Sequence, residues 1–246
     1  MVGSSSGCGH VLMPERPWRV AILDSGIGAL PAPVTHARRF VDDGGEVLEQ
    51  PAVEDPLGHG TLVARIIAGA SRPVELLIAQ VLNQRARCTA AALATAIEWA
   101  LGQRAELLHF SLGLPHDRAV LRTAIAVATA AGVLVVAAAP ARGMTTYPAS
   151  YPGVLRATGD ARCGTEQIAF LDSAAADFGA CPLHRAPSGK ASRGASMGAA
   201  HLSRYIVSHV APGLAARQVY ETLAGAASFH GPERHYRGAS VDRQGR

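Results

Sequence analysis

Three short segments carry the residue types needed for acyl transfer. Val20-Ala21-Ile22-Leu23-Asp24-Ser25-Gly26 offers a carboxylate, Gly58-His59-Gly60-Thr61 an imidazole, and Gly194-Ala195-Ser196-Met197-Gly198 a hydroxyl. A serine alcohol is too weak an acid to attack a carbonyl at neutral pH unless a base takes its proton. An imidazole does this best when a carboxylate fixes its tautomer and supports the charge it gains. Each residue alone has a plainer reading: Asp24 as a strand-end cap, His59 as a loop or cap residue at a helix start, Ser196 as an N-cap serine. Their order, their intervals and their placement together point to catalysis.

The elements that must position them follow from hydrophobic periodicity. Trp18 to Leu23 reads as a short buried strand ending on Asp24, and Leu62, Val63, Ile66 and Ile67 have helical spacing, so His59 to Ala68 is a helix with His59 in its first turn. Residues 31 to 57, with Pro, paired Gly and mixed charge, read as a short helix plus irregular chain. Val74 to Val81 is the next strand, Thr89 to Leu101 a Thr-capped helix, Leu107 to Leu112 a strand, Asp117 to Ala131 a helix closed by Gly132, and Val133 to Ala139 a strand ended by Pro140. After Tyr147 the chain is loop-rich, with strands expected near 153 to 158 and 166 to 171. Helices follow from Ser196 to about Val210 and from Leu214 to Ala226. This alternation implies an α/β fold, a doubly wound, mostly parallel sheet with helices on both faces, whose strand ends bring Asp24 and Ser111 to one crevice. Residues 1–17 read as a flexible lead-in, 18–228 as one domain, and 229–246 as a mobile or surface-wrapped tail.

Composition narrows the function classes. The 246 residues are 48% hydrophobic and 17% charged, which suits one compact domain. The net charge of +4 comes from 23 Lys+Arg, mostly Arg, spread along the chain, so no nucleic-acid partner is expected. No apolar run is long and unbroken enough for a membrane span, and no basic stretch leading into a long apolar run precedes Asp24. Cys8, Cys88, Cys163 and Cys181 form no CxxC pair and no metal-ligand spacing; reduced thiols and a cytoplasmic setting are expected. No metal or cofactor is called for. The remaining histidines, among them His109, His116, His184 and His209, lack ligand spacing and read as surface or core residues, and His201 as packing under the helix that starts at Ser196.

From Trp18 to Ala211 the chain resembles the subtilisin-like serine peptidases, the subtilases. VAILDSGI, GHGTLVARIIAG and GASMGAAHLSRYI look like the family's three active-site blocks. The resemblance implies a subtilisin-like fold and an endopeptidase in which Ser196 attacks the scissile carbonyl, His59 relays the proton and Asp24 orients His59. It further implies that Ser111, Leu112 and Gly113 pair by their backbone with a peptide or protein precursor bound in extended form. Ala138 and Ala139 then belong to the strand that walls the first specificity pocket.

The departures from the family pattern are also informative. Where the family has Gly-Asn, whose amide donates to the oxyanion, this chain has Pro140-Ala141, and the threonine usually before the nucleophile is Ala195. Loss of one such donor costs about 10² to 10³ in kcat, a magnitude known from subtilisin. Arg142, Thr145, Thr146 or a backbone N–H, such as that of Ser196, are the candidates to replace it. No acidic cluster has calcium-loop spacing: Asp42-Asp43 and Glu54-Asp55 read as solvated turns. With no prosegment expected before Asp24, the reading is a dedicated intracellular processing protease, removing a leader peptide or maturing a precursor.

Three other readings compete. A catalytically weak or inactive subtilase-fold binding module is favoured by the altered oxyanion side and opposed by the intact triad. A glutamate-racemase reading rests on the resemblance of Asp24-Ser25-Gly26-Ile27-Gly28 to the start of that family, but Cys88 and Cys181 lack its thiol motifs. A dinucleotide fold lacks its third glycine, which is Pro31 here.

Overall fold

The computed structural model describes residues 16–30, 33–140, 145–185 and 191–233. Trp18–Asp24 forms β1, Val34–Asp43 β2, Glu46–Pro51 β3, His59–Ala68 α1, Val74–Gln80 β4, Ala90–Gly102 α2 and Leu107–Phe110 β5. Ala119–Ala130 forms α3, Leu134–Ala138 β6, Val154–Gly159 β7, Ile168–Phe170 β8, Phe178–Ala180 β9, Leu183–Arg185 β10 and Ala191–Arg193 β11. Ala195–His209 is α4, Ala216–Ala226 α5 and Phe229–His230 β12. Ten strands make one sheet in the order β12-β8-β9-β7-β6-β5-β1-β4-β2-β3, and β10 and β11 form a separate antiparallel pair. The sheet is parallel through its centre, from β9 to β2, and antiparallel at the β2–β3 and β8–β9 steps.

The expected α/β architecture is present, and side-chain alternation explains its two cores. Ala21 and Leu23 of β1 face a cluster completed by α2 and α3, while Val20 and Ile22 face one built with α1, α4 and α5. Thr89 caps α2 by accepting from the Ala92 amide at 3.1 Å. Among the described residues no helix is long and apolar enough to cross a membrane.

Three expectations are corrected. Residues 31 to 57 hold no helix among the described residues; β2 and β3 form a hairpin there, turning at Gly44 and Gly45, which both have positive φ. Its strands are half-exposed, so their alternation is weak in sequence; pairing with the remote β4 decides the conformation of β2, and β3 folds back on β2. The Arg38–Glu49 ion pair at 3.0 Å charges this sheet edge. β9 is a buried Phe-Gly-Ala run too short and small to announce itself. The tail expected from Phe229 begins on the sheet, because Phe229 and His230 pair in parallel with Ala169 and Phe170; residues 234–246 lie outside the described ones. Of the lead-in over 1–17, residues 1–15 lie outside as well, and Arg16 reaches Glu106 at 2.5 Å.

Candidate active site

Asp24 ends β1 with its carboxylate buried, and each of its oxygens lies 2.9 Å from His59 Nδ1. A carboxylate only accepts, so Nδ1 carries the proton and Nε2 is left as the base. The Ser25 amide donates to Asp24 Oδ1 at 2.7 Å, and the Val81 and Leu82 amides donate to the Asp24 carbonyl at 2.8 and 3.2 Å, which anchors the turn after the strand. The hydrogen bond to Asp24 holds the His59 imidazole above its ordinary range; burial opposes this, and the charges of Asp24 and Asp55 add to the rise. His59 thus gains a proton easily and keeps it beside a buried carboxylate.

The start of α1 is held in place by Asp55, which in sequence reads as part of a solvated turn. Asp55 accepts from the Leu57, Gly58 and Thr61 amides at 3.1, 2.9 and 2.8 Å and from the Thr61 hydroxyl at 2.7 Å. Burial raises the Asp55 carboxyl, but the bonds from Thr61, Ser25 and Leu57 outweigh it and leave the group below its usual range. Asp55 satisfies open amides at the helix start and adds negative charge near His59. Gly60 lets this helix approach: a Cβ there would stand 2.4 Å from the Gly26 carbonyl oxygen. The Ser25 hydroxyl accepts from the Gly60 amide at 2.9 Å, fastening the β1 turn to α1.

Ser196 lies in the first turn of α4, where amides have no intrahelical acceptor. Its hydroxyl donates to the Ser111 carbonyl at 2.8 Å. Gly198, two residues on, makes the close packing of α4 possible, since a Cβ there would lie 2.2 Å from the Thr158 carbonyl oxygen of β7. The Ser111 hydroxyl is 2.6 Å from Nε2 of His109, and His109 Nδ1 is 2.9 Å from the Ser203 hydroxyl of α4. His109 is fully buried and its pKa is driven down to about 3, first by burial and then by the charge of His59, so it stays neutral. The one signal for it in the sequence was a lone imidazole inside the apolar run Leu107-Leu108-His109-Phe110.

The remaining site residues separate into groups. Ser111, Leu112 and Gly113 run past Thr146, with a Gly113 Cβ position 3.0 Å from Thr146 Cβ, and Leu114 and Tyr147 exchange backbone hydrogen bonds at 2.7 and 2.9 Å. Ala138 and Ala139 are buried at the carboxyl end of β6, beside β5. Thr146 Oγ1 is buried with no hydrogen-bond partner among the described residues. Thr145 is exposed and lines a cavity with Tyr151, Arg156 and Tyr220. Ala141 and Arg142 lie outside the described residues.

Comparison with known proteins identifies the family. The sequence profile described as the subtilase family matches residues 18–236. The chain belongs to the subtilase family. This subtilase is 34% identical over 149 residues to subtilisin BL of Lederbergia lenta, covering 56% of the chain and 53% of that protein. It is 32% identical over 148 residues to a thermostable alkaline protease of Halalkalibacterium halodurans, covering 56% of the chain and 40% of that protein. With subtilisin DY of Bacillus licheniformis the identity is 32% over 153 residues, covering 56% and 54%. The match thus spans about half the length of these curated relatives or less. In this subtilase the end of β1 meets the start of α1 at Asp24 and His59, the chain just past β5 meets the start of α4 at Ser111 and Ser196, and β1 and β5 are adjacent strands.

Proposed function

We propose that the subtilase domain over residues 18–236, which includes β12, is a serine endopeptidase that cleaves a peptide bond through an acyl-enzyme on Ser196. The observation that carries this reading is the Asp24–His59 pair, 2.9 Å at Nδ1, at the start of α1, the helix that packs against α4 with Ser196 in its first turn. A peptide lies extended along Ser111 to Gly113. Ser196 Oγ attacks the scissile carbonyl carbon while His59 Nε2 takes the hydroxyl proton, and Asp24 keeps Nδ1–H in place and stabilises the imidazolium. The resulting oxyanion faces the Ser196 amide at the start of α4, and Thr146 is the side-chain candidate for the second donor because its hydroxyl is buried and unpartnered. His59 then passes the proton to the leaving amine. Water activated by the same imidazole hydrolyses the ester and restores the serine.

The role we infer is processing of a peptide or protein precursor in the cytoplasm, without nucleic acid, membrane or cofactor. Ala195 supplies no hydroxyl beside the nucleophile, which favours a slow, selective enzyme over a general degrader. Cys88, Cys163 and Cys181 are free thiols, which suits a reducing compartment. Incubation with a fluorophosphonate followed by intact-mass measurement tests the chemistry: one adduct is expected on the wild-type chain and none on Ser196→Ala. No adduct on folded wild-type protein would favour the binding-module reading, to which the bond from Ser196 to Ser111 lends some support.

A further inference from the structure

His109 spans two elements of the site. Ser196 and Ser203 are seven residues apart on α4, about two helical turns, so they lie on one stripe of that helix. His109 and Ser111 are two apart on an extended chain and therefore face the same side of the sheet. That side is the one on which α4 packs, since Leu107 belongs to its core while Leu108 and Phe110 face the other. The stripe and the strand end are joined at two points: Ser196 Oγ to the Ser111 carbonyl at 2.8 Å, and Ser203 Oγ to His109 Nδ1 at 2.9 Å. His109 Nε2 then closes the frame onto the Ser111 hydroxyl at 2.6 Å.

We propose that His109 is a positioning residue. Held by Ser203 on one ring nitrogen and Ser111 on the other, it fixes the Ser111 carbonyl relative to the helix carrying Ser196, and so sets how an extended peptide meets the nucleophile. This rests on the endopeptidase reading above. A neutral imidazole has one donor and one acceptor, and each serine hydroxyl can serve either role, so both ring nitrogens are satisfied without a charge. An apolar residue in this strand would avoid the cost of burying a polar ring but could not tie the strand end to the helix. Because His109 stays neutral, the tie holds when His59 becomes an imidazolium nearby.

The test compares Ser203→Ala, His109→Asn and His109→Gln with wild type in the full chain. Labelling of Ser196 by a small fluorophosphonate reads the nucleophile alone; kcat/KM over peptides of increasing length upstream of the scissile bond reads the Ser111 segment. Ser203→Ala should label within about threefold of wild type yet lose roughly tenfold in kcat/KM on extended peptides, the worth of one hydrogen bond. His109→Gln, whose amide falls near the Nε2 position and can keep the Ser111 bond, should retain more extended-peptide activity than His109→Asn. Equal losses of labelling and turnover together with a lowered thermal midpoint would mean a purely structural role and overturn the proposal, as would unchanged turnover in all three variants. Failure of the wild type itself to label removes the endopeptidase reading and this proposal with it, whereas a labelled wild type with either of the other results removes the positioning role alone.

Discussion

The Ser196 hydroxyl donates to the backbone carbonyl of Ser111 at 2.8 Å. On the endopeptidase reading, the resting nucleophile's proton is therefore committed to the same acceptor that would serve the substrate backbone. An arriving peptide N–H competes for that carbonyl, and a displaced Ser196 turns its hydroxyl toward His59. Ser196→Ala should accordingly bind an extended, uncleaved peptide about two- to tenfold more tightly than wild type, the range of one net hydrogen bond. Calorimetric titration checks this; equal affinity would show that the carbonyl accommodates both donors.

The Asp24–His59 bond sets the pH dependence. Its effect is to raise the His59 pKa, so on the endopeptidase reading the base is neutral, and turnover proceeds, only above a pH higher than an ordinary histidine would give. Asp24→Asn should move the acid limb of kcat/KM to lower pH while cutting the rate by about 10⁴, the cost of the wrong tautomer in a related triad. For stability the sign is the reverse of the activity trend. A raised folded pKa contributes stability below the unfolded value and loses it as pH rises through the folded value. Denaturant midpoints of wild type and Asp24→Asn across pH 5 to 9 should therefore converge at the alkaline end.

Asp55 gathers the open amides at the start of α1, and its folded pKa is lowered. Its contribution is present above the ordinary carboxylate range and disappears as pH falls through the folded value. Asp55→Ala should cost about 1–2 kcal/mol at neutral pH, as for a lost helix cap, and slow acylation by loosening His59. Asp55→Asn, which keeps an acceptor oxygen, should recover much of the stability. Chemical denaturation paired with fluorophosphonate labelling measures both effects.

Gly198 is where α4 meets β7. An added methyl has nowhere to go, its carbon falling 2.2 Å from the Thr158 oxygen. Gly198→Ala should destabilise by about 1–3 kcal/mol, the usual cost of overpacking, although alanine favours helices. Labelling of Ser196 should fall with it, because displacement of α4 carries the nucleophile along. Gly225→Ala on α5, where a Cβ meets nothing within 4 Å, is the control: it should leave labelling unchanged and hold or raise stability by up to about 1 kcal/mol.

The parts of this architecture that could be read in the sequence were those with local causes. A buried apolar run ending on Asp24, a helical stripe after His59 and a Thr-capped helix at Thr89 each declare themselves within a dozen residues. Elements decided by distant partners stay hidden: β2 takes its conformation from pairing with β4, β3 folds back on β2, and β12 pairs with β8. The site divides in the same way. Asp24, His59 and Ser196 stand in recognisable segments, whereas Asp55 looked like a solvated turn because its acceptor role depends on how α1 begins. His109 looked like an ordinary core histidine because Ser203, its partner on α4, is 94 residues away.

The spacing of these groups along the chain has a consequence for the order in which the enzyme comes into being. Asp24 and His59 are 35 residues apart and can pair once β1, β4 and α1 have left the ribosome. Ser196 reaches Ser111 across 85 residues and is set only when α4 packs against β7. On the endopeptidase reading, a nascent chain therefore assembles its proton relay early and acquires its nucleophile late. Until α4 has been made and packed, Ser196 is not in place to cut the unfinished protein or its neighbours.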